Sequence, residues 1–495
     1  MKDTTSKGKR QEYVENNNPI NPAQLIITAT EAMRSSPQPS PPRLSPKLLG
    51  YEVSPQHPSS QAFLKQQQQQ QGLERKRSNL NINNNVLSDS SSTSQHIPLV
   101  GINNISSKHS YNSKKADLLS QLPYELISVI FMYLDTKDML QLGLVNQHWK
   151  YLTNISEDWY RRMQLHGWAI RLPDHWKQYI TSKNQIDWRY WYMQRYQLSK
   201  RWHFGQVTAN YLLGHEDSVY CVQFDDRKVI SGSRDRTIRI WDIESFQCIR
   251  TLVGHEGSVL CLQYNEKYLV SGSSDFTVIV WSMQTLQQLM KIRGHTAKIS
   301  DVCFNDKYIV SASKDTTIRI SSLRTGRLIH LIQAHTAAVN SIKLYKSTIV
   351  SASRDNIIKF WDIRTGLCVR QFAGHDDGFS CIQYDGRYLV SGSNDQTIKV
   401  WNALTGECLM TLEGHTGLVR ALSFSNGRIV SAGYDQSIRV WDMASRTCLL
   451  NFQSGHSSWV FDVKFDEKRI ISAGHDRRIL VMDFTRGLDT RFICR

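Results

Sequence analysis

Seven histidines, His215, His255, His295, His335, His375, His415 and His456, are each followed 20 residues later by an aspartate: Asp235, Asp275, Asp315, Asp355, Asp395, Asp435 and Asp476. Serines such as Ser231 and Ser233 lie between them. Histidine, aspartate and serine are the parts of a hydrolase triad, in which an imidazole takes the serine proton and a carboxylate orients the imidazole. Seven equivalent copies argue against that use, because an enzyme rarely builds seven equal active sites. No Gly-rich phosphate loop, metal-ligand spacing or nucleophile elbow accompanies them. The expectation is a chain with no catalytic residue, no metal and no cofactor, in which each His and Asp satisfy one another inside a buried network.

The elements that position these residues follow from the period. Five of the six gaps between the histidines are 40 residues and the last is 41. Five histidines are followed at 26 residues by Trp241, Trp281, Trp361, Trp401 and Trp441; Ser321 and Met482 take that place in repeats three and seven. Those two blades are expected to be locally weaker. A Gly-His…Trp-Asp period of this length is the signature of a WD-repeat, four short strands per unit. Such a unit cannot bury its own apolar face and must stack on its neighbours. Seven units close a β-propeller and leave no open sheet edge. Residues 207–212 precede Gly214-His215 as 247–252 precede Gly254-His255, so 207–212 is predicted to be an outermost strand completing the seventh blade. Residues 488–494 are the rival for that slot.

At 495 residues the chain exceeds one ordinary core. Residues 1–115 read as a disordered low-complexity tail, with the run Gln66 to Gln71, asparagine and serine clusters and many prolines. Ser36, Ser40, Ser45 and Ser54 precede prolines as candidate kinase sites, and Arg75-Lys76-Arg77 is a candidate import signal. The net charge of +16 is spread along the chain without a dominant basic run, so no nucleic-acid partner is expected. All nine cysteines lie within the propeller region, with Cys248, Cys368, Cys408 and Cys448 at one repeat position and Cys221, Cys261 and Cys381 at another, which reads as small strand residues in a reducing compartment. No 18-residue apolar run or signal peptide is present; no membrane association and a cytoplasmic or nuclear location are expected.

Between tail and propeller (204–495) the patterning is helical. Pro123 suits a first helical position, and Leu126, Ile127, Ile130, Phe131 and Leu134 follow at helical spacing. Asp135 is placed to cap a second helix with Met139, Leu140 and Leu142; a third would bring Val145, Trp149 and Leu152 onto one face. So few residues make a poor core, so apolar surface is expected to be left for a partner. Leu122-Pro123-Tyr124-Glu125-Leu126, with Ile130, Tyr133-Leu134, Asp138-Met139, Val145, Trp149 and Trp159, resembles an F-box. The assigned span is 116–163. The resemblance implies docking on the adaptor subunit of an SCF ubiquitin ligase, and through it the cullin, by Leu122, Pro123, Leu126, Ile127 and Ile130. In the linker 164–203, Trp188, Trp191, Tyr192 and Arg195 form a helical stripe expected to pack against the propeller.

Recognition is expected where the repeats differ. Just before the Asp the series is Arg234, Ser274, Lys314, Arg354, Asn394, Tyr434 and His475; five after the His it is Tyr220, Leu260, Ser300, Asn340, Ser380, Arg420 and Phe461. Trp459 joins the same face. Arg234, Lys314, Arg354 and Arg420 converge there as a trap for an anion, and clustered arginines are a recurring reader of phosphorylated peptides. Segments such as Ser218-Val219-Tyr220-Cys221-Val222-Gln223-Phe224 and Ala337-Ala338-Val339-Asn340 resemble the β-TrCP family of F-box receptors. That resemblance implies a degron with two phosphoserines, held at Tyr220, Arg234, Ser258, Leu260, Ser274, Lys314, Asn340, Gly378, Arg420, Tyr434, Phe461 and His475. The family has arginines where Asn356, Asp377 and Trp459 stand here, and Arg354 is an added cation. The expected function is the non-catalytic substrate-recognition subunit of an SCF-type E3 ligase, binding phosphorylated substrates and promoting their proteasomal degradation. The alternative is a non-degradative WD-repeat scaffold with a helical docking module.

Overall fold

The structure, a computed structural model, describes residues 122–168 and 186–490. The tail 1–115, with its Ser-Pro dipeptides and basic triplet, lies outside the described residues.

Residues 208–483 form seven four-stranded antiparallel sheets. In blade 1 the strands run Val219–Phe224, Lys228–Ser233, Thr237–Asp242 and Cys248–Val253, from the central channel outward. The burial pattern explains the composition. The second strand is buried at every position but its first, whereas the outermost strand is exposed except at Leu252. Small residues near the end of each second strand let blades approach: a Cβ on Gly232 would lie 2.6 Å from Val259 Cγ1 of the next blade and 2.7 Å from Cys221 Sγ.

Closure is as expected. Thr208–Leu212 pairs antiparallel with Ile479–Asp483, in register from Thr208 opposite Asp483 to Leu212 opposite Ile479. The N-terminal strand of the ring therefore supplies the outer strand of blade 7. Residues 488–490 form no strand, and 491–494 lie outside the described residues.

Among the described residues, five helices precede the ring: α1 (Tyr124–Tyr133), α2 (Thr136–Leu142), α3 (Gln147–Leu152), α4 (Ser156–Leu165) and α5 (Trp188–Phe204). Asp135 caps α2 by accepting the Asp138 amide at 2.7 Å, and Asn146 caps α3 through the Trp149 amide at 2.8 Å. Two positions differ from expectation. Pro123 is the residue before α1, not its first. Val145 precedes α3 and is exposed, because the capping Asn146 starts that helix one residue later. The module's core is Phe131, Met139, Trp149, Trp159 and Met163. Trp159 Nε1 donates to the Thr153 carbonyl and Ser128 Oγ to Asp158.

Helix α5 serves two masters along its length of about 25 Å. Toward its start, Tyr192 packs on Trp159 at 5.0 Å, and its hydroxyl lies 2.6 Å from Thr136 Oγ1. Toward its end, Trp202 stacks on Phe484 at 3.8 Å and donates Nε1 to the Glu467 carbonyl, while Arg428 covers its other side. Arg195 pairs with Glu467, and Arg201 donates to the carbonyls of Phe484 and Arg486. The stripe's residues thus divide between the helical module and the propeller.

Candidate recognition rim

The repeated His, Asp and Ser do adopt triad geometry, and their surroundings rule out nucleophilic use. In blade 1, His215 Nδ1 lies 2.7 Å from Asp235, Nε2 lies 2.8 Å from Ser231 Oγ, and Trp241 Nε1 donates to the same Oγ at 2.8 Å. A carboxylate only accepts and an indole only donates. Nδ1 therefore donates to the carboxylate, and Ser231 Oγ accepts the indole N–H while facing Nε2. Each such serine is buried, from Ser231 to Ser472. The chain of bonds ends in an indole instead of a substrate path. In blades 3 and 7 the histidine keeps both partners, with Asp315 and Ser311 or Asp476 and Ser472, and lacks only the indole. Buried Met482 fills the vacated place in blade 7.

The same aspartate builds the turn beside the rim. Asp235 Oδ1 accepts the Thr237 amide and hydroxyl, which holds Arg236 between them at φ 70°. The corresponding residue has positive φ in all seven blades, and none is glycine. This is a strained conformation for such side chains, and the carboxylate imposes it.

Burial alone would raise these carboxyls. Hydrogen bonds from Thr317, the Thr296 amide and His295 outweigh it and hold Asp315 at about 2. His415 and Ser437 do the same for Asp435, also at about 2. Burial pushes His295, His335 and His375 below their ordinary value, so these rings are neutral.

A second repeated device aims the variable side chains. The innermost strand of every blade carries a register shift at its second residue, as between Val219 and Cys221. The skipped residues are Tyr220, Leu260, Ser300, Asn340, Ser380, Arg420 and Phe461. A bulge turns its side chain out of the ladder. The residue before each Asp is tied to the residue three after the His: Arg234 N donates to Ser218 O, Ser274 N to Ser258 O, Lys314 N to Lys298 O and Arg354 N to Ala338 O. Asn394 bonds Gly378, Tyr434 bonds Leu418 and His475 bonds Trp459 in the same way. Three side-chain positions per blade therefore sit together at one end of the channel. Lys298 and Leu418 belong to this set and were missed. Trp459 and Ser258 occupy the same offset and mark it.

The rim has two chemically distinct parts. Lys314 is exposed, and its ammonium is held below the usual lysine range by partial desolvation and by Arg420, Arg354 and Lys298. Lys314 Nζ donates to Asn340 Oδ1 at 2.6 Å, and Asn340 Nδ2 donates to the Phe379 carbonyl. Elsewhere Trp459 lies parallel to Tyr434 at 4.6 Å, and Phe461 contacts Tyr220, Tyr434 and His475 at 4.9, 6.1 and 6.0 Å. Arg234 has Asp217 3.6 Å away. Leu260, Ser300, Asn340, Ser380 and Arg420 line the mouth of a central channel of about 260 Å³. Within it Asp301 accepts from the Ile342 amide and Lys343, and Asp462 from the Val222 amide and Lys464, tying adjacent blades. Gly378 is buried beneath Arg354: a Cβ there would lie 3.0 Å from Arg354 Cα. Its expected ligand contact is therefore corrected to a packing role under that arginine. Phe461 is also buried and forms the floor of the aromatic part, with Trp459 exposed above it.

Comparison with known proteins agrees with the seven-sheet ring. The WD domain, G-beta repeat model matches at 206–242, 246–282, 286–320, 326–362, 366–402, 406–442 and 446–483, together more than half of the chain. The chain belongs to the WD-repeat family. An F-box-like model matches 119–165. A probable E3 ubiquitin ligase complex SCF subunit, sconB, of Arthroderma otae is 31% identical over 164 residues, 28% of this chain and 24% of that protein. The scon-2 counterpart of Neurospora crassa is 25% identical over 208 residues, 28% of this chain and 32% of its own. An F-box protein of Saccharomyces cerevisiae is 29% identical over 160 residues, 28% of this chain and 25% of that protein. The matched segments thus span a quarter to a third of these relatives.

The F-box-like part of this WD-repeat protein presents an apolar face. Leu126 is 52% exposed, Val129 54% and Ile130 39%, with Tyr133 and Leu144 nearly free. Leu122 is half-buried and Pro123 exposed. Ile127 is 3% exposed and belongs to the module's own core, so its expected adaptor contact is corrected. Helical spacing alone put Ile127 beside Leu126; a one-residue step of 100° turns it inward. Among the described residues, no helix is long and apolar enough to cross a membrane, and no group of three or more His, Cys, Asp or Glu is placed to hold a metal.

Proposed function

We propose that this chain is the substrate-recognition subunit of an SCF-type ubiquitin ligase. Its F-box-like module docks on the adaptor, and through it the cullin, by Leu122, Pro123, Leu126 and Ile130. The propeller rim holds a phosphorylated substrate, as the resemblance to the β-TrCP family implies. The reaction is then one of proximity: α5 fixes the spacing between the two docking surfaces, and the chemistry occurs on other subunits. The observation that carries this reading is the pairing of an uncovered apolar helix face with a rim whose Lys314 has Arg354, Arg420 and Lys298 as its charged neighbours. The relatives' names support the ligase assignment.

The test has two arms. Mixing the full chain with the adaptor is expected to give a complex, and proteins captured by the chain are expected to be lost on phosphatase treatment. Arg420→Glu is expected to abolish phosphopeptide binding with an unchanged melting temperature. Absence of an adaptor complex would favour the scaffold reading. Ligands that survive dephosphorylation would remove phosphate recognition.

A further inference from the structure

The division of the rim limits how many phosphates it can take. Four of its cations gather on one side, with Lys298 and Lys314 from blade 3, Arg354 from blade 4 and Arg420 reaching across from blade 6. The opposite side is a continuous wall of five rings, Tyr220, Tyr434, Trp459, Phe461 and His475, with centroid separations of 4.6 to 6.1 Å. The cation next to that wall, Arg234, already has Asp217 beside it. Blade 5, between Arg354 and Arg420, offers exposed Asp376 and Asp377. Aromatic faces carry negative electron density, and carboxylates repel anions. A second phosphate therefore finds no seat. The upper ring of the wall is open: Trp459 is 45% exposed, while Phe461 below it is 7% exposed. A flat apolar surface held rigid by stacking suits another planar side chain.

We infer that the rim's ligand is a peptide with a single phosphorylated residue, seated over Lys314, Arg354 and Arg420, and an aromatic side chain seated against Trp459 and Tyr434. This rests on the phosphopeptide reading above and adds its specificity. Arg420 joins the two seats, since its charge reaches both Lys314 and Tyr220.

The experiment is fluorescence anisotropy with the full chain and synthetic peptides bearing no, one or two phosphoserines. Phe or Ala is scanned along the positions flanking one phosphoserine. At the best position Phe is expected to bind about tenfold tighter than Ala. A second phosphate is expected to change affinity by less than about threefold, below one such stacking contact. Trp459→Ala should erase the Phe preference, and Trp459→Phe should keep it. Equal binding of Phe and Ala peptides by the unmodified chain, or a tenfold gain from the second phosphate, overturns the two-seat inference and leaves the phosphate dependence standing. If no phosphorylated peptide binds better than its unmodified form, the phosphopeptide reading falls and the inference with it.

Discussion

Asp435 shows how much one side chain carries. It accepts from His415 Nδ1, the Thr416 amide, and the Ser437 amide and hydroxyl. Asp435→Ala strands several buried donors and frees the positive-φ residue Gln436. The expected loss is about 3 kcal/mol, read as a lower urea midpoint. Blade 6 also presents Tyr434 and Arg420, so peptide affinity should fall with it. Lys314, Arg354 and Arg420 are different in kind. Removing one of these exposed or half-exposed cations should leave stability within about 0.5 kcal/mol of the parent and change only ligand affinity.

Helix α1 illustrates why a segment must be read by face. Leu126 and Ile130 are one turn apart on the open side, and Ile127 and Phe131 one turn apart on the closed side. Ile130→Glu is expected to lose adaptor binding by more than tenfold with a melting temperature close to the parent, since Ile130 is not among the module's buried residues. Ile127→Ala is expected to lower stability of the module by about 2–5 kcal/mol. Circular dichroism with a pull-down of the adaptor separates the two; equal behaviour of both variants would mean the face is assigned wrongly. Strands obey a related logic. The bulge in each innermost strand sits at a constant distance from the histidine, so the rim positions are legible in the primary chain as places where the repeat stops repeating. What α1's spacing cannot say is which of two adjacent apolar residues faces out, because that depends on where α4 and α5 pack.

The ring as a whole stores its histidine–aspartate bonds seven times, which makes its stability depend on pH. His295, His335 and His375 sit below 6.5 when folded, so an unfolded chain takes up protons first. Their contribution is complete above pH 6.5 and declines as the pH falls below it. Asp315 and Asp435, at about 2 against 3.8, hold their contribution above pH 3.8 and lose it as the pH falls toward 2. Urea midpoints measured from pH 7.5 to 5 should therefore fall steadily; a flat profile would contradict buried neutral imidazoles. Closure by Thr208–Leu212 implies that these bonds act together, since opening blade 7 exposes both of its neighbours.

The repeat period settled the ring, its blade count and the framework role of histidine and aspartate, because each blade is a local unit whose contacts recur at a fixed separation; the choice of 207–212 over 488–494 as closing strand came from the pairing itself. Lys298 was missed and Gly378 misassigned for the opposite reason. Lys298 matters because its charge meets Lys314 beside arginines from other blades, and Gly378 because Arg354 of the neighbouring blade lies over it. The division of the rim into a cationic seat and an aromatic wall, the inward turn of Ile127 and the two-ended docking of α5 arise between segments far apart in the chain. Such relations are set by how packed elements are oriented in space, and only the folded molecule decides them.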